Sequence, residues 1–193
     1  MHSEIKMTHP EPIDNEIKLS SKRYIVSKTD AKGVILYGND YFMEISGYSE
    51  KELVGKPHNI VRHPDMPKVA FKLMWDRIKE GKNFMAVVKN LAKDGSYYWV
   101  VTDFEPKVDP ISNEIISHTA FRKAAPQKAI DAVTPLYAKL LELEVDGGME
   151  ASEAYLREYL EENHTTYDEL INKVVGNSGL FKMFFTAMKK LFS

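Results

Sequence analysis

Residues 56–79 read KPHNIVRHPDMPKVAFKLMWDRIK, and the rest of the chain is laid out around this stretch. It holds His58, Arg62, His63, Asp65 and Trp75, with prolines at Pro64 and Pro67. His58 to Arg62 has the character of a helical turn. It must stop before Pro64, because the residue preceding a proline is pushed out of the α region. Pro67 stands where the start of a helix tolerates a missing N–H. From there Val69, Phe71, Leu73, Met74 and Ile78 recur at roughly helical spacing and give one apolar face. An arginine, a histidine and an aspartate crowd between two helix ends, which predicts one wall of a ligand pocket. The stretch carries six Lys/Arg against two Asp, a local excess suited to phosphate. For Lys68, Lys72 and Lys79 an ordinary solvated helix face is the usual case.

Working towards the N-terminus, Ser49-Glu-Lys-Glu52 is a capping-box pattern for one further turn, ended near Gly55. Before it, Asp40 can cap a short helix carrying Tyr41, Phe42 and Ile45, closed by Gly47. Residues 23–29 (RYIVSKT) and 34–37 (VILY) are β-rich and flank the turn Asp30-Ala-Lys-Gly33, so they read as a hairpin. Residues 1–20 are polar with two early prolines and read as a flexible arm.

Beyond Gly81 the pattern turns to β. Residues 83–91 (NFMAVVKNL) and 97–108 (YYWVVTDFEPKV) bracket the hairpin signal Lys93-Asp-Gly-Ser96, and 115–122 (IISHTAFR) is a last strand. The order β β α α α β β β predicts an α+β domain: a five-stranded antiparallel sheet with helices over one face, spanning 21–123. After Lys123–Pro126 the strand signal ends, and 126–193 reads as an all-α C-terminal module. Its expected helices start at Thr134-Pro135, at Met149, at the capping box Thr165–Asp168, and at Leu180. Between Glu142 and Glu169 lie ten acidic residues and one basic, Arg157, whereas three lysines and no acid follow Gly176. The tail is therefore expected to close on itself, its acidic helices against the basic last one. A docking or membrane-surface role for that last helix is the alternative.

The 193 residues carry a net charge of −2, which gives no general field for nucleic acid. There is no cysteine, hence no disulfide, thiolate metal site or cysteine nucleophile. No apolar run approaches the roughly 18–20 residues of a membrane span, and the N-terminus lacks an apolar leader, so a cytoplasmic location is expected. No nucleophile elbow, P-loop or HExxH is present, and an enzyme is not expected.

The series GNDYFMEISGYSEKELVGKPHNIVRHPDMPKVAF, then MW, VVKN, DG and YYWV, resembles the PAS domain of bacterial aerotaxis receptors over roughly residues 24–122. The PHN-VRHPDMP run is the most specific part. The resemblance implies the PAS fold and a non-covalently bound FAD whose redox state is passed to a chemotaxis receptor. It extends to energy-taxis PAS proteins that act in trans on a membrane receptor. That arrangement suits this sequence, with a homodimer as a further expectation and membrane contact only indirect or through the last helix. Residue by residue, the family's cofactor and signalling positions fall on Asn39, His58, Arg62, His63, Asp65, Trp75 and Asn90. Where the family has Trp-Ser-Gly, this chain has Phe84-Met85-Ala86; Phe84 can still stack on a ring, and Ala86 narrows the slot. The arginine that usually follows the asparagine is here Leu91.

The residues themselves allow more than one outcome. Asn90 sits among valines, where an unpaired amide is expensive to bury, so it reads as a contact to a flavin edge or as a solvent-facing residue near a hairpin. His58 and His63 could touch a flavin, ligate haem b or cap a helix. His118, mid-strand, reads as a surface or edge residue. A haem-based gas sensor and a ligand-free protein-interaction scaffold are the alternatives to the FAD redox sensor.

Overall fold

The computed structural model describes residues 9–176 and 183–187. Two strands, β1 (Ile25–Asp30) and β2 (Ile35–Gly38), lead into α1 (Asp40–Ser46), α2 (Glu50–Leu53), a 3-10 turn (His58–Val61) and α3 (Lys68–Lys79). Then come β3 (Phe84–Leu91), β4 (Tyr97–Val108), β5 (Ile115–Ala124), α4 (Gln127–Glu162) and α5 (Tyr167–Val175). The strands form one five-stranded sheet in the order β2-β1-β5-β4-β3, with every pairing antiparallel. The expected element order holds. The two hairpins lie at opposite ends of the sheet, and the β1–β5 pairing joins them in the middle.

Local chemistry explains the short elements. Asn39, not Asp40, caps α1. Its Oδ1 accepts from the backbone N–H of Phe42 at 3.1 Å and of Val26 at 3.0 Å, while Nδ2 donates to the Tyr24 carbonyl. A carboxylate there could not donate the third bond. Glu52 closes the turn of α2 on the Ser49 N–H at 3.0 Å. A hydrogen bond from Lys93, with those from Ser49, holds the Glu52 carboxyl down at about 2. α3 buries Val69, Ala70, Met74 and Ile78 against the sheet.

Strand alternation divides the sheet residues into two faces. Ser27, Val88, Ala120 and Arg122 point to the side of α3. Val26, Val101, Asp103 and Phe121 point to the other side and are also buried. The tail helps to cover that second face: Lys123 Nζ stands 4.4 Å from the Phe184 ring centre, and Phe184 meets Tyr24 at 5.6 Å. The N-terminal stretch read as a flexible arm follows the β3–β4 hairpin. Ile13 N–H donates to the Gly95 carbonyl, Tyr97 N–H to Asn15, and Ile17 N–H to Tyr97. Gly95 is required there: its φ is +91°, and an added Cβ would lie 2.3 Å from the Glu11 carbonyl oxygen.

The tail departs most from expectation. α4 begins at Gln127, seven residues before the Thr134-Pro135 start, and Pro135 lies inside the helix. Burial outweighs the proline signal, because Ala129, Val133, Tyr137 and Leu140 bury one stripe that spans it. The break expected at Gly147-Gly148 is present, with Gly148 at φ 73° and ψ −176°. The third cap is shifted by one residue: Thr166 pairs with Glu169. Of the helix expected from Leu180 to Phe192, only residues 183–187 are among those described, and these are helical; Lys182, Lys189 and Lys190 lie outside them.

Candidate functional site

A cavity of about 290 Å3 lies between the inner sheet face and the wall made by the 3-10 turn and α3. Apolar side chains form much of it: Val61, Phe71, Met74, Trp75, Ile78, Val88, Phe104 and Ala120. Register brings its polar groups together. Ser27 stands opposite Ala120, Thr29 opposite His118, and Arg122 opposite Ile25. The mouth is edged by Lys32, Pro57 and Asn59, which are exposed, and by the half-buried Arg62.

At the floor sits Arg122, only 2 % exposed. One of its Nη groups donates to Ser27 Oγ at 2.9 Å and the other to His58 Nε2 at 3.0 Å. Ser27 Oγ is itself 3.0 Å from that imidazole nitrogen. A guanidinium only donates, so His58 Nε2 accepts and the ring's proton sits on Nδ1. Burial, then the charge of Arg122, pushes His58 down to about 3, so the ring is neutral near pH 7. Burial also pushes Arg122 down to about 10. Among the described residues its side chain bonds to no carboxylate; its partners are a hydroxyl, an imidazole and the Ala120 carbonyl. A buried cation held only by neutral groups carries a large uncompensated desolvation cost.

His118 corrects the surface reading. It is buried, packs edge-on to Trp75 at 5.5 Å, and lines the cavity. Its Nε2 lies 3.3 Å from the Ala31 carbonyl, which places the proton on that nitrogen. Nδ1 is then an acceptor, buried without a hydrogen-bond partner among the described residues. Asn90 is 5 % exposed and lines the same cavity, opposite Tyr98 in the ladder. Burial raises the Tyr98 phenol above its usual range, with Arg122 and the Asn90 amide acting against that.

Four of the residues expected from sequence thus meet around one cavity: His58, Arg62, Trp75 and Asn90. Arg62 bonds the Met66 carbonyl at 2.9 Å, and its guanidinium lies over Phe71. The other four are placed elsewhere. Asn39 uses its amide to fasten α1 to β1. His63 is buried outside the cavity, with Nδ1 accepting from the Asp65 N–H at 3.0 Å. Asp65 faces outward and takes Lys89 at 2.6 Å. Phe84, expected to stack on a cofactor ring, stacks on Tyr167 of α5 instead, at 5.0 Å and 9°. Sequence reasoning missed Arg122, Ser27 and His118. The available signal was the two-residue spacing of His118, Ala120 and Arg122, which puts two basic side chains and a small residue on one strand face.

The cavity wall is tied to the tail. Glu144 of α4 accepts the first two N–H groups of α3, Lys68 and Val69, at 2.9 Å each. Glu153 pairs with Lys72 at 3.0 Å, and Asp168 of α5 pairs with Arg77. These tail acids are spent on α3, where the sequence suggested the tail's own lysines. Glu144 and Glu153 stand on either side of the Gly148 break. Tyr137 adds a bond from its hydroxyl to the Val87 carbonyl of β3 at 2.7 Å. Glu144→Gln is expected to cost about 1 kcal/mol, the usual worth of a charged helix cap. Hydrogen exchange would see it as faster exchange at Lys68 and Val69; unchanged protection there would remove Glu144 as the cap.

Residues 35–115 match the family model described as the PAS fold. The aerotaxis receptor of Escherichia coli (strain K12) is 40% identical over 133 residues, covering 69% of this chain and 26% of that protein. The bacterioopsin transcriptional activator of Halobacterium salinarum is 34% identical over 85 residues, covering 44% of this chain and 13% of that protein. The biofilm dispersion protein BdlA of Pseudomonas aeruginosa is 26% identical over 81 residues, covering 42% and 19%. The chain thus spans about a quarter or less of these relatives' lengths. Among solved structures, a light-oxygen-voltage domain studied with a flavin analogue superposes with a TM-score of 0.50 at 18% identity, covering 56% of this chain and 81% of that one. The dark-state LOV domain of the blue-light photoreceptor Aureochrome1 gives 0.50 at 21%, covering 63% and 84%. No helix among the described residues is long and apolar enough to cross a membrane.

Proposed function

The chain carries a PAS domain of the aerotaxis-receptor type, and from that premise we propose that it is a redox sensor holding FAD non-covalently by its flavin ring. The observation that carries this reading is the buried Arg122, whose side-chain partners among the described residues are Ser27, His58 and a carbonyl, at the floor of a largely apolar slot. The fit is chemical as well as spatial. A slot of about 290 Å3 is near the lower end for small-molecule sites, enough for a flat ring system but not for a whole dinucleotide. Its walls are largely apolar and aromatic, with the polar groups of Ser27, Asn90, His118 and Arg122 set among them.

Bound flavin would supply reversible electron transfer that changes the charge and protonation of its ring. Arg122 would favour the more negative form, because an unscreened cation in a dry site acts strongly on charge. His58, neutral and accepting, keeps the guanidinium oriented toward the slot. Asn90 offers a donor and an acceptor to the ring's edge. The second strained group, His118 Nδ1, would be satisfied by a hydroxyl of the ligand's side chain. A haem iron would need a free imidazole nitrogen. Of the two histidines expected as haem ligands, His58 has its Nε2 accepting from Arg122 and His63 lies outside the cavity, so His118 Nδ1 is the nitrogen left, in a slot of about 290 Å3 that is small for a porphyrin.

The output in this proposal is α3. Phe71, Met74, Trp75 and Ile78 touch the cavity, while the helix is held at its N-terminus by Glu144 and along its flanks by Glu153 and Asp168. A shift of α3 against the sheet would be handed to the tail at the Gly148 break. From there it would pass to a chemotaxis-type receptor or other signalling partner, reached from the cytoplasm.

The test is the visible spectrum of the purified chain, with FAD added if none is present. Oxidised-flavin bands that bleach with dithionite are expected. Asn90→Ala should weaken flavin binding about tenfold, the worth of one or two hydrogen bonds, with the fold intact. A colourless chain that takes up no flavin, or an Asn90→Ala variant with unchanged affinity and redox response, would overturn the reading.

A further inference from the structure

Beside the cavity runs an open groove of about 620 Å3 between the β1–β2 turn and the outward side of α3. It shares Lys32, Phe71 and Trp75 with the cavity, so the two adjoin at those side chains. Four lysines border it: Lys32, Lys68, Lys72 and Lys79. Lys72 is held by Asp76 and Glu153. The other three are exposed and form no salt bridge among the described residues, although Asp76 is close by.

The way from the cavity to this groove runs by Trp75, which lines both and packs against His118 on the cavity side at 5.5 Å. His118 presents a buried acceptor that has no partner among the described residues. The order along this path is therefore a cation and an amide at the floor, a lone acceptor at the neck, and free cations outside. A flavin nucleotide has that order in its own chemistry: a ring with acceptor edges, a chain of hydroxyl donors, then phosphate. The amides at the α3 N-terminus are not available to a phosphate, since Glu144 occupies them. The lysines are what remains to bind an anion on this side.

We infer that this groove is the phosphate subsite of the cofactor, with Lys32, Lys68 and Lys79 holding the phosphates and His118 Nδ1 accepting from the hydroxylated chain at the neck. This rests on the flavin reading above and adds to it the exit path and the requirement for a nucleotide. Each exposed pair is worth up to about 1 kcal/mol, so three lysines together give a preference of roughly tenfold or more.

The test compares riboflavin with FAD, titrated into the purified full chain after any co-purified flavin has been removed. FAD should bind about tenfold tighter or more, with an advantage that shrinks as salt rises. In the triple variant Lys32→Gln, Lys68→Gln, Lys79→Gln the advantage should fall to about twofold or less, with FAD affinity falling by more than riboflavin affinity. His118→Phe should weaken both, and by less for lumichrome, which has the ring but no hydroxyl chain. Equal binding of riboflavin and FAD, or an unaltered preference in the triple variant, would overturn the subsite and leave the flavin reading standing. Failure of both flavins to bind would overturn the two together.

Discussion

Arg122→Met is expected to cost flavin binding roughly 100-fold while leaving the flavin-free chain at least as stable as the parent. The two effects have opposite sign because the guanidinium is buried for the ligand's sake. Charge-assisted hydrogen bonds are worth about 1.5–3 kcal/mol each, and two to a bound ring account for the loss of affinity. Without ligand, Arg122 is a buried cation with three neutral hydrogen-bond partners among the described residues, and burial lowers its pKa. Replacing such a buried charge with a well-packed apolar side chain is commonly neutral or stabilising by about 1–4 kcal/mol. Phe42 and Phe104, each about 6 Å from the guanidinium by ring centre, offer a methionine an aromatic surround. Equilibrium flavin titration and thermal unfolding of the same preparation check both halves. A melting temperature that drops by 10 °C with affinity preserved would mean that Arg122 is a structural anchor and not a ligand group.

The second large effect is loss of stability on mild acidification, carried by two histidines. His58 is pushed down to about 3 by burial and by Arg122; His63 to about 4 by burial and by Lys89, with Asp65 opposing. Both rings lie near 6.5 in the unfolded chain, so below that pH the unfolded state binds protons that the folded state refuses. Their stabilisation is complete above about pH 6.5 and is lost as pH falls towards the folded values. Each ring contributes up to about 1.4 kcal/mol per pH unit. Between pH 6.5 and about 5 ordinary carboxylates remain mostly ionised, so the slope there belongs mainly to imidazoles. Urea unfolding of the flavin-free chain at pH 7, 6 and 5 should give a falling midpoint, and His58→Gln and His63→Gln should each flatten the fall by one proton. A midpoint flat from pH 7 to 5 would contradict the buried, neutral state of both rings.

The candidate site was legible in part, and for identifiable reasons. His58 and Arg62 stand at a helix junction between Gly55 and Pro64, so local rules marked them before any contact was known. Asn90 stood out as an amide among valines. Arg122 and His118 did not, because strand alternation says only that they share a face. Whether that face looks inward depends on the pairing of β5 with β1 across almost the whole domain. Phe84 was expected to meet a ring and does, but the ring is Tyr167, contributed by a helix 83 residues further along.

The tail followed the same rule with the opposite outcome. The Thr134-Pro135 pair is a strong local signal for a helix start, and it was overridden by a buried stripe from Ala129 to Leu140. The acidic run from Glu142 to Glu169 was plain in the sequence. Its use was not: Glu144, Glu153 and Asp168 reach α3 across 75 to 91 residues. By itself the sequence determined the element order, the two hairpins and the glycine break at 148, since each follows from spacing within a few residues, and its motif series carried the resemblance to the PAS fold. The tertiary structure alone decided that Arg122 is buried facing His58, that Asn39 and His63 serve the fold, and that the tail grips the cavity wall. Those are energies of burial and charge pairing between distant segments, and they exist only once the sheet has set its register.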